Sequence, residues 1–476
     1  MGVPRNFSEA NEHAAGQMTA LASVTPTMIY RIFTTGNVST KRTTCSGSDN
    51  PGPIGIDPEA QFGFCHALKC VAYTDGCIPV ETGVCFRYLI PVLYARRARM
   101  ASIAFRRTAR QWKRLYREVR LVALALKSSI HPVFAHIVVT RRCNLACTYC
   151  SEFDNFSKPV PIDEMLRRID RLAALGTTAV TLTGGETLLH PQLEEIIERV
   201  RSHGMLVVMI TNGYLLTVDR IQRLNRAGLD RMQISIDNVQ PDEVSKKSLK
   251  VLDQKLQWLS QHAEFPVHIH SVVGAGTDRP EDALVIARRA TELGLGSSAG
   301  IVHDETGRMQ ALGPRAKKVI EDIENLSKPL FSFARHNPWR RNLLEGRPND
   351  WHCPAGGRHL YICENGLVHY CMAQRGYPAI PLHEYTQEDM DRESKAPKPC
   401  APYCTIFCVH RVALLDKLRE NPREALVQLF PAAGQDSQEA RPPLPIRALT
   451  SLLAPSRSSR SGQFFRKVAE RMLNIN

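Results

Sequence analysis

Between residues 136 and 303 the chain alternates, and that alternation constrains its fold more than any other feature. Six short apolar runs occur there: HIVVT (136–140), AVTLT (179–183), LVVMIT (206–211), RMQISI (231–236), VHIHSVV (267–273) and AGIVH (299–303). They read as buried strands, and the stretches 161–176, 191–203, 217–227, 242–262 and 280–293 between them read as amphipathic helices. Pro161 marks one helix start and Gly176 one stop. Strands alternating with helices imply right-handed crossovers and a parallel sheet. Six such units make most of a barrel and leave one side open. The expected fold class is therefore α/β, a partial (β/α)6 TIM-like barrel of parallel strands, with its chemistry at the carboxyl ends of the strands.

The flanks differ in composition. Residues 1–95 carry no sustained periodicity, and STKRTTCSGSDNPGPIGIDPEA has linker composition. That segment is expected to lack a fold, or to lie outside the working protein, since Met100 offers an alternative start. Residues 96–130 form a basic amphipathic segment, in which 96–127 hold eleven Lys or Arg against the single Glu118, so most of the net charge of +14 is local. Such a stretch suits peripheral contact with anionic lipid or nucleic acid, or equally a solvated leading helix. The barrel is expected over 131–330, a small cysteine-rich module over 331–415, and a partly unfolded helical and basic tail over 416–476. No apolar run is long enough to span a membrane, and the N-terminus lacks the pattern of a secretory signal. A cytoplasmic location is expected.

Fourteen cysteines fall into three groups, at 45–85, 143–150 and 353–408. Short spacings clustered in a long chain point to metal ligation rather than a disulfide framework. Cys143, Cys147 and Cys150 form C-x3-C-x2-C directly after the first strand. A structural zinc takes four ligands, often drawn as two spaced pairs, so three clustered thiolates leave a vacancy. A cubane iron–sulfur cluster explains it, because three thiolates hold three irons and leave the fourth open.

This array, with Tyr149 before its last cysteine, resembles the signature of the radical S-adenosylmethionine (radical SAM) superfamily. Gly184-Gly185-Glu186 in TLTGGET (181–187) stands where that family carries its glycine-glycine-glutamate motif, although Thr187 replaces the usual proline. The resemblance covers roughly residues 133–410. It implies a [4Fe-4S] cluster on Cys143, Cys147 and Cys150 whose open iron chelates S-adenosylmethionine. One electron then cleaves the cofactor to methionine and a 5'-deoxyadenosyl radical, which abstracts hydrogen from substrate. It further implies cofactor contacts from Tyr149, Gly184, Gly185, Glu186, Asn212, Ser235 and Asp237. Taken alone, Asn212, Ser235 and Asp237 read equally well as caps or turn residues. No catalytic residue is assigned beyond the cluster site. His268 and His270 share one face of their strand, and His303, Asp304 and Glu305 end the next. Lone histidines at such places are more often structural than catalytic.

The second group, Cys353, Cys363, Cys371, Cys400, Cys404 and Cys408, begins as C-x12-G-x4-C around Gly366, which resembles the opening of a SPASM or twitch module. YICENGLVHYC reads as a hairpin turning at Asn365-Gly366. The full module would carry about seven cysteines and a C-x2-C-x5-C-x3-C core, which this chain lacks. The resemblance implies at least one auxiliary [4Fe-4S] cluster, held by Cys353, Cys371 and two of the last three cysteines, with Cys363 a further candidate. Two incompletely ligated clusters and a zinc site remain alternatives. Cys45, Cys65, Cys70, Cys77 and Cys85 read as inert thiols. The implied function is a radical SAM enzyme acting on a peptide or protein, reduced by a partner such as a flavodoxin or ferredoxin. Alternatives are a radical SAM enzyme acting on RNA or a small molecule, and a non-enzymatic iron–sulfur or zinc protein that binds nucleic acid or membrane.

Overall fold

A computed structural model describes residues 70–73, 76–79, 86–148, 150, 152–274, 279–302, 311–326, 339–421 and 425. Two compact units divide it, Met1–Tyr88 and Leu89–Asn476. Of the first, the described part is an antiparallel pair, β1 (Cys70–Tyr73) and β2 (Gly76–Pro79), carrying Cys70 and Cys77. These strands lie within the segment read from sequence as unstructured. Helix α1 runs over Phe86–Lys127 and so begins earlier than the basic segment expected from residue 96.

The second unit then follows the anticipated alternation: β3 (Phe134–Thr140), α2 (Ile162–Ala174), β4 (Ala179–Gly184), α3 (Leu193–Ser202), β5 (Leu206–Thr211), α4 (Val218–Ala227), β6 (Arg231–Ser235), α5 (Leu249–His262), β7 (Val267–Gly274), α6 (Glu281–Glu292) and β8 (Gly296–Val302). Six strands from β3 to β8 pair in order, all parallel. Helices α7 (Pro314–Leu326) and α8 (Arg340–Leu344) lead to β9 (His359–Ile362), β10 (Leu367–His369), β11 (Pro378–Pro381), α9 (Gln387–Lys395) and α10 (Phe407–Glu420). The fold is α/β, a partial barrel with a cysteine-rich segment after it.

Side-chain period two sorts the sheet. Ile137, Leu182, Met209, Ile234 and Ile269 pack with Ile169, Ile196, Leu224 and Leu256 of the surrounding helices in one continuous core. The alternate positions, among them His136, Thr181, Gln233, Ser235, His268 and His270, take the other face. On β7 the helix-facing residues are buried and the alternates half-buried. The barrel therefore has an apolar shell and a polar inner face.

Two elements depart from expectation. The helix read over 242–262 begins only at Leu249, because Asp242 accepts from the amides of Val244 (2.9 Å) and Ser245 (2.7 Å) and holds 239–248 as a loop. In addition, β9 pairs parallel with β3 from Phe134↔His359 to Ile137↔Ile362, extending the barrel sheet, while β10 returns antiparallel as the hairpin expected at Asn365-Gly366. The cysteine-rich segment thus belongs to the same compact unit as the barrel.

Four arginines tie the parts together. Arg168 of α2 donates to the carbonyls of Cys363 (3.3 Å) and Glu364 (3.0 Å) at the hairpin turn, and a Cβ on Gly366 would sit 2.9 Å from its guanidinium. Arg117 of α1 pairs with buried Asp230, which also accepts from the amide of Val207 (3.0 Å) at the amino end of β5. Arg107 caps α5 through the carbonyls of Ala263 (2.9 Å) and Ser260 (2.8 Å). Part of the basic face of α1 is therefore spent on this unit itself, while Trp112, Tyr116 and Val119 are exposed.

Arg358 is the fourth. Almost fully buried, it donates to Ala125 O (2.7 Å) and His131 O (3.2 Å) and pairs with Asp416 (2.9 Å), joining the end of α1, the approach to β3 and α10. Removing it leaves Asp416 with Arg419 alone and takes the donor from the carbonyls of Ala125 and His131. Arg358→Ala is expected to lower the unfolding free energy by about 1–3 kcal/mol, the cost of leaving buried acceptors unpaired, measured by urea denaturation of the full chain.

Candidate active site

Strand β3 opens at its carboxyl end into the loop that carries Cys143, Cys147 and Cys150. The loop folds back on itself: the amide of Cys143 donates to Asp154 O (2.8 Å) and that of Asp154 to Arg141 O (2.9 Å). Within it, the Cys150 amide donates to Cys147 O (3.1 Å), and the Thr148 amide reaches Val244 O (3.0 Å) on the 239–248 loop. The three thiols are near enough for ionisation of one to disfavour the others.

Gly184 and Gly185 explain their own identity. The Gly185 amide donates to Thr140 O (2.8 Å) and the Glu186 amide to Arg142 O (2.9 Å), so the end of β4 lies against the base of the cysteine loop. A Cβ on Gly184 would meet Thr140 O at 2.1 Å, and one on Gly185 would meet Arg141 O at 2.2 Å. Gly184 also holds φ +139°, which side-chain-bearing residues rarely adopt. Only glycine permits this approach.

Glu186 is fully buried. It accepts from Thr211 Oγ1 (2.5 Å) and the amides of Leu188 (2.9 Å) and Asn212 (2.7 Å), which oppose the upward push that burial gives its pKa. Asn212, positioned by that contact, donates from Nδ2 to Asn144 Oδ1 (2.8 Å) and lies 3.7 Å from Cys143 Sγ. Asp237, also buried, accepts from Ser245 Oγ (2.7 Å) and pairs with Lys247 (3.0 Å), and Ser245 Oγ stands 3.7 Å from Cys147 Sγ. Ser235 ends β6 on the inner face, paired in register with His270. Glu186, Asn212 and Asp237 therefore meet at the thiol loop, whereas Tyr149, His303, Asp304 and Glu305 lie outside the described residues.

Sequence reasoning missed several participants. Ser245 and Lys247 fall in the stretch whose spacing reads as helix; the contrary signal is Pro241 followed by Asp242, a turn former. The positive charge of Lys247 favours the thiolate of Cys150 against the desolvation that dominates there. Beyond the loop, Glu152 accepts from Tyr361 and pairs with Arg375 (3.3 Å), which in turn pairs with Glu364 (2.8 Å). That chain links the thiol loop to the hairpin of β9 and β10. On the inner face, His268 Nε2 and His270 Nδ1 share Ser298 Oγ at 2.7 and 2.9 Å. Burial lowers the pKa of His270 to about 4, so it is neutral at pH 7.

Five of the six later cysteines converge. Cys353 and Cys371 pack with Ala355, Ala401 and Val409, with Cys408 against them. Every pair among Cys353, Cys371, Cys400 and Cys404 is close enough to interact electrostatically. Cys363 sits elsewhere, with Val138, Tyr361 and Leu367.

The donor sets suit clusters. Three thiols on one loop and four around the later segment are the numbers of donors that the separate irons of a cubane take, one outside ligand each. One further trio, His136, His359 and Cys408, has its ligand atoms all within 4.8 Å of one another.

Residues 137–305 match the family model of the Radical SAM superfamily. The chain carries a Radical SAM domain. Members of that superfamily are enzymes that use S-adenosylmethionine and a [4Fe-4S] cluster. Among curated relatives, GTP 3',8-cyclase of Lactiplantibacillus plantarum is 34% identical over 24% of this chain and 36% of its own length. AdoMet-dependent heme synthase of Methanosarcina barkeri is 32% identical over 28% of this chain and 41% of its own length. The chain thus spans less than half the length of these relatives. Among solved structures, Streptococcus suis SuiB bound to its precursor peptide SuiA aligns with TM-score 0.44 and 14% identity over 62% of this chain and 76% of that one.

This geometry generates two predictions. Gly185→Ala forces the cysteine loop from its seat and is expected to cost the first cluster, about four irons per chain, while sparing the auxiliary iron; anaerobic iron and sulfide counts read this. Burial pushes Cys353 and Cys408 up to about 11 and Cys371 up to about 12, from an ordinary 9.0. A raised thiol pKa means that the folded state holds the proton more tightly than the unfolded state. That stabilisation is complete below about pH 9 and is lost as pH rises toward 11–12. The melting temperature of metal-free protein is expected to fall over that window, and metal-loaded protein to resist it.

Proposed function

We propose that this protein is a radical SAM enzyme that modifies a peptide or protein in a reducing cytoplasm. The observation that carries the reading is the arrangement of Cys143, Cys147 and Cys150 on one loop at the mouth of a parallel barrel, seated on Gly184-Gly185. In this reading the three thiolates hold a [4Fe-4S] cluster, which with S-adenosylmethionine supplies the electron and the carbon radical for hydrogen abstraction.

The chain's own residues prepare that site. Leu145 N–H points at Cys143 Sγ (3.4 Å) and Asn212 Nδ2 lies 3.7 Å from the same sulfur, so donors already face a thiolate that burial alone disfavours. Glu186 fixes Asn212, and Asp237 fixes Ser245 beside Cys147. Gly184 and Gly185 let the end of β4 press against the base of the cysteine loop and so hold that loop in place for the cluster. Asn212, Ser235 and Asp237 form the adjoining rim for the nucleoside and amino-acid parts of the cofactor.

The choice of a peptide rests on the cysteine-rich segment, whose resemblance to a SPASM or twitch module goes with maturation of peptides and proteins. Cys353, Cys371 and two of Cys400, Cys404 and Cys408 are assigned one auxiliary [4Fe-4S] cluster. Electron delivery is assigned to a partner of the flavodoxin or ferredoxin kind. A small-molecule substrate is the second reading, favoured by the relatives named GTP 3',8-cyclase and heme synthase.

Reconstituted protein given dithionite and S-adenosylmethionine is expected to form 5'-deoxyadenosine, and Cys143→Ala/Cys147→Ala/Cys150→Ala to form none while losing about four of about eight irons. Equal yields from wild type and the triple variant would overturn the reading.

A further inference from the structure

His136, His359 and Cys408 form the trio whose ligand atoms all lie within 4.8 Å of one another. They come from three elements: His136 from β3, His359 from the start of β9 and Cys408 from the first turn of α10. The two histidines have no role in the reading above, and Cys408 is there only one of three alternatives for two places on the auxiliary cluster. We propose that these three residues form a mononuclear site for a divalent transition ion of the zinc class, separate from both cysteine-held clusters.

The geometry favours one ion over a cluster corner. His359 Nε2 lies 3.4 Å from Cys408 Sγ. A tetrahedral zinc with ordinary bonds to sulfur and nitrogen places two such ligands about 3.5 Å apart, whereas thiolates on separate cubane irons stand farther apart. The tautomer is set correctly as well. His359 Nδ1 is 3.1 Å from Tyr370 O, a carbonyl that can only accept, so Nδ1 carries the proton and Nε2 turns its lone pair to Cys408. The His136 ring lies 5.1 Å from that of His359, tilted by 54°, which places a second imidazole nitrogen within reach of the same point.

Five cysteines converge in the module and a cubane uses four. Cys408 lies near Cys353 and Cys371 as well, but it is the one of the five whose sulfur faces an imidazole nitrogen, so this proposal narrows the auxiliary set left open above to Cys353, Cys371, Cys400 and Cys404. A donor set of two imidazole nitrogens and one sulfur leaves the fourth position of the ion to water. Held this way, the ion joins the first barrel strand, the strand that extends the sheet and the helix that closes the module. The bland alternative is a thiol–imidazole hydrogen bond with no ion.

The test uses the full chain, reconstituted anaerobically with iron and sulfide and then given one equivalent of zinc. About one zinc per chain is expected to survive gel filtration, with X-ray absorption at the zinc edge showing one sulfur and the rest nitrogen or oxygen. His359→Gln and His136→Gln are each expected to weaken zinc retention at least tenfold and to lower the melting temperature of the zinc form, with iron unchanged. Cys408→Ser is expected to lose the zinc and keep its iron. No retained zinc, an all-sulfur shell, or a Cys408→Ser variant that loses iron would each overturn the proposal. These readouts do not require radical chemistry, so failure of the function proposed above would show separately, in 5'-deoxyadenosine formation.

Discussion

Two main-chain hydrogen bonds, from Gly185 to Thr140 O and from Glu186 to Arg142 O, govern the site. They press the end of β4 onto the start of the cysteine loop and thereby decide where the three thiols lie. The carboxylate of Glu186, turned inward, then becomes the anchor for Thr211 and Asn212 at the end of β5. Adjacent strand ends are locked through a single buried acid, whose desolvation three donors offset only in part. The next strand end contributes in the same manner, since Asp237 holds Ser245 beside Cys147. The thiol loop is therefore positioned by the sheet rather than by its own sequence, which contains no regular structure.

The same loop is joined to the cysteine-rich segment by charge. Glu152 follows the third cysteine closely, and it bonds Tyr361 and Arg375 of the hairpin region. Arg375 passes the connection to Glu364, and Arg141 at the head of the loop lies 3.4 Å from the same carboxylate. Because β9 pairs directly with β3, these contacts run over a continuous sheet rather than across a hinge. Two cysteine assemblies so linked are expected to hold a fixed separation, which suits electron transfer better than a flexible tether would.

The barrel was legible in the sequence because each strand is a short apolar run and each helix carries its apolar residues at the helical period; the six parallel strands stand where the runs predicted, within a few residues. The glycine pair was legible for a physical reason too, since a glycine doublet at a strand end signals close backbone approach. What escaped was whatever depends on pairing between distant segments. Strand β9 has four residues in a turn-rich context, and nothing local says that it pairs with β3. Ser245 and Lys247 lie in a stretch whose apolar spacing imitates a helix, until Asp242 captures the next amides. The trio of His136, His359 and Cys408 spans most of the described chain and has no spacing signature at all.

The thiols themselves supply the last step. Burial opposes ionisation of Cys353, Cys371, Cys404 and Cys408, and the nearness of each to another thiol adds to that opposition. A chain that gathers so many poorly ionising sulfurs gains little from them as core hydrophobes, since alanine or valine would fill the same space without mutual repulsion. Metal reverses the balance: it removes the protons, converts repulsion among thiolates into shared attraction, and makes binding energy part of folding energy. The cysteine-rich segment has few long elements and small satellite cores, so its order depends on that conversion more than the barrel's does. The barrel can fold on its apolar shell; the segment that completes its sheet is built to be finished by what it binds.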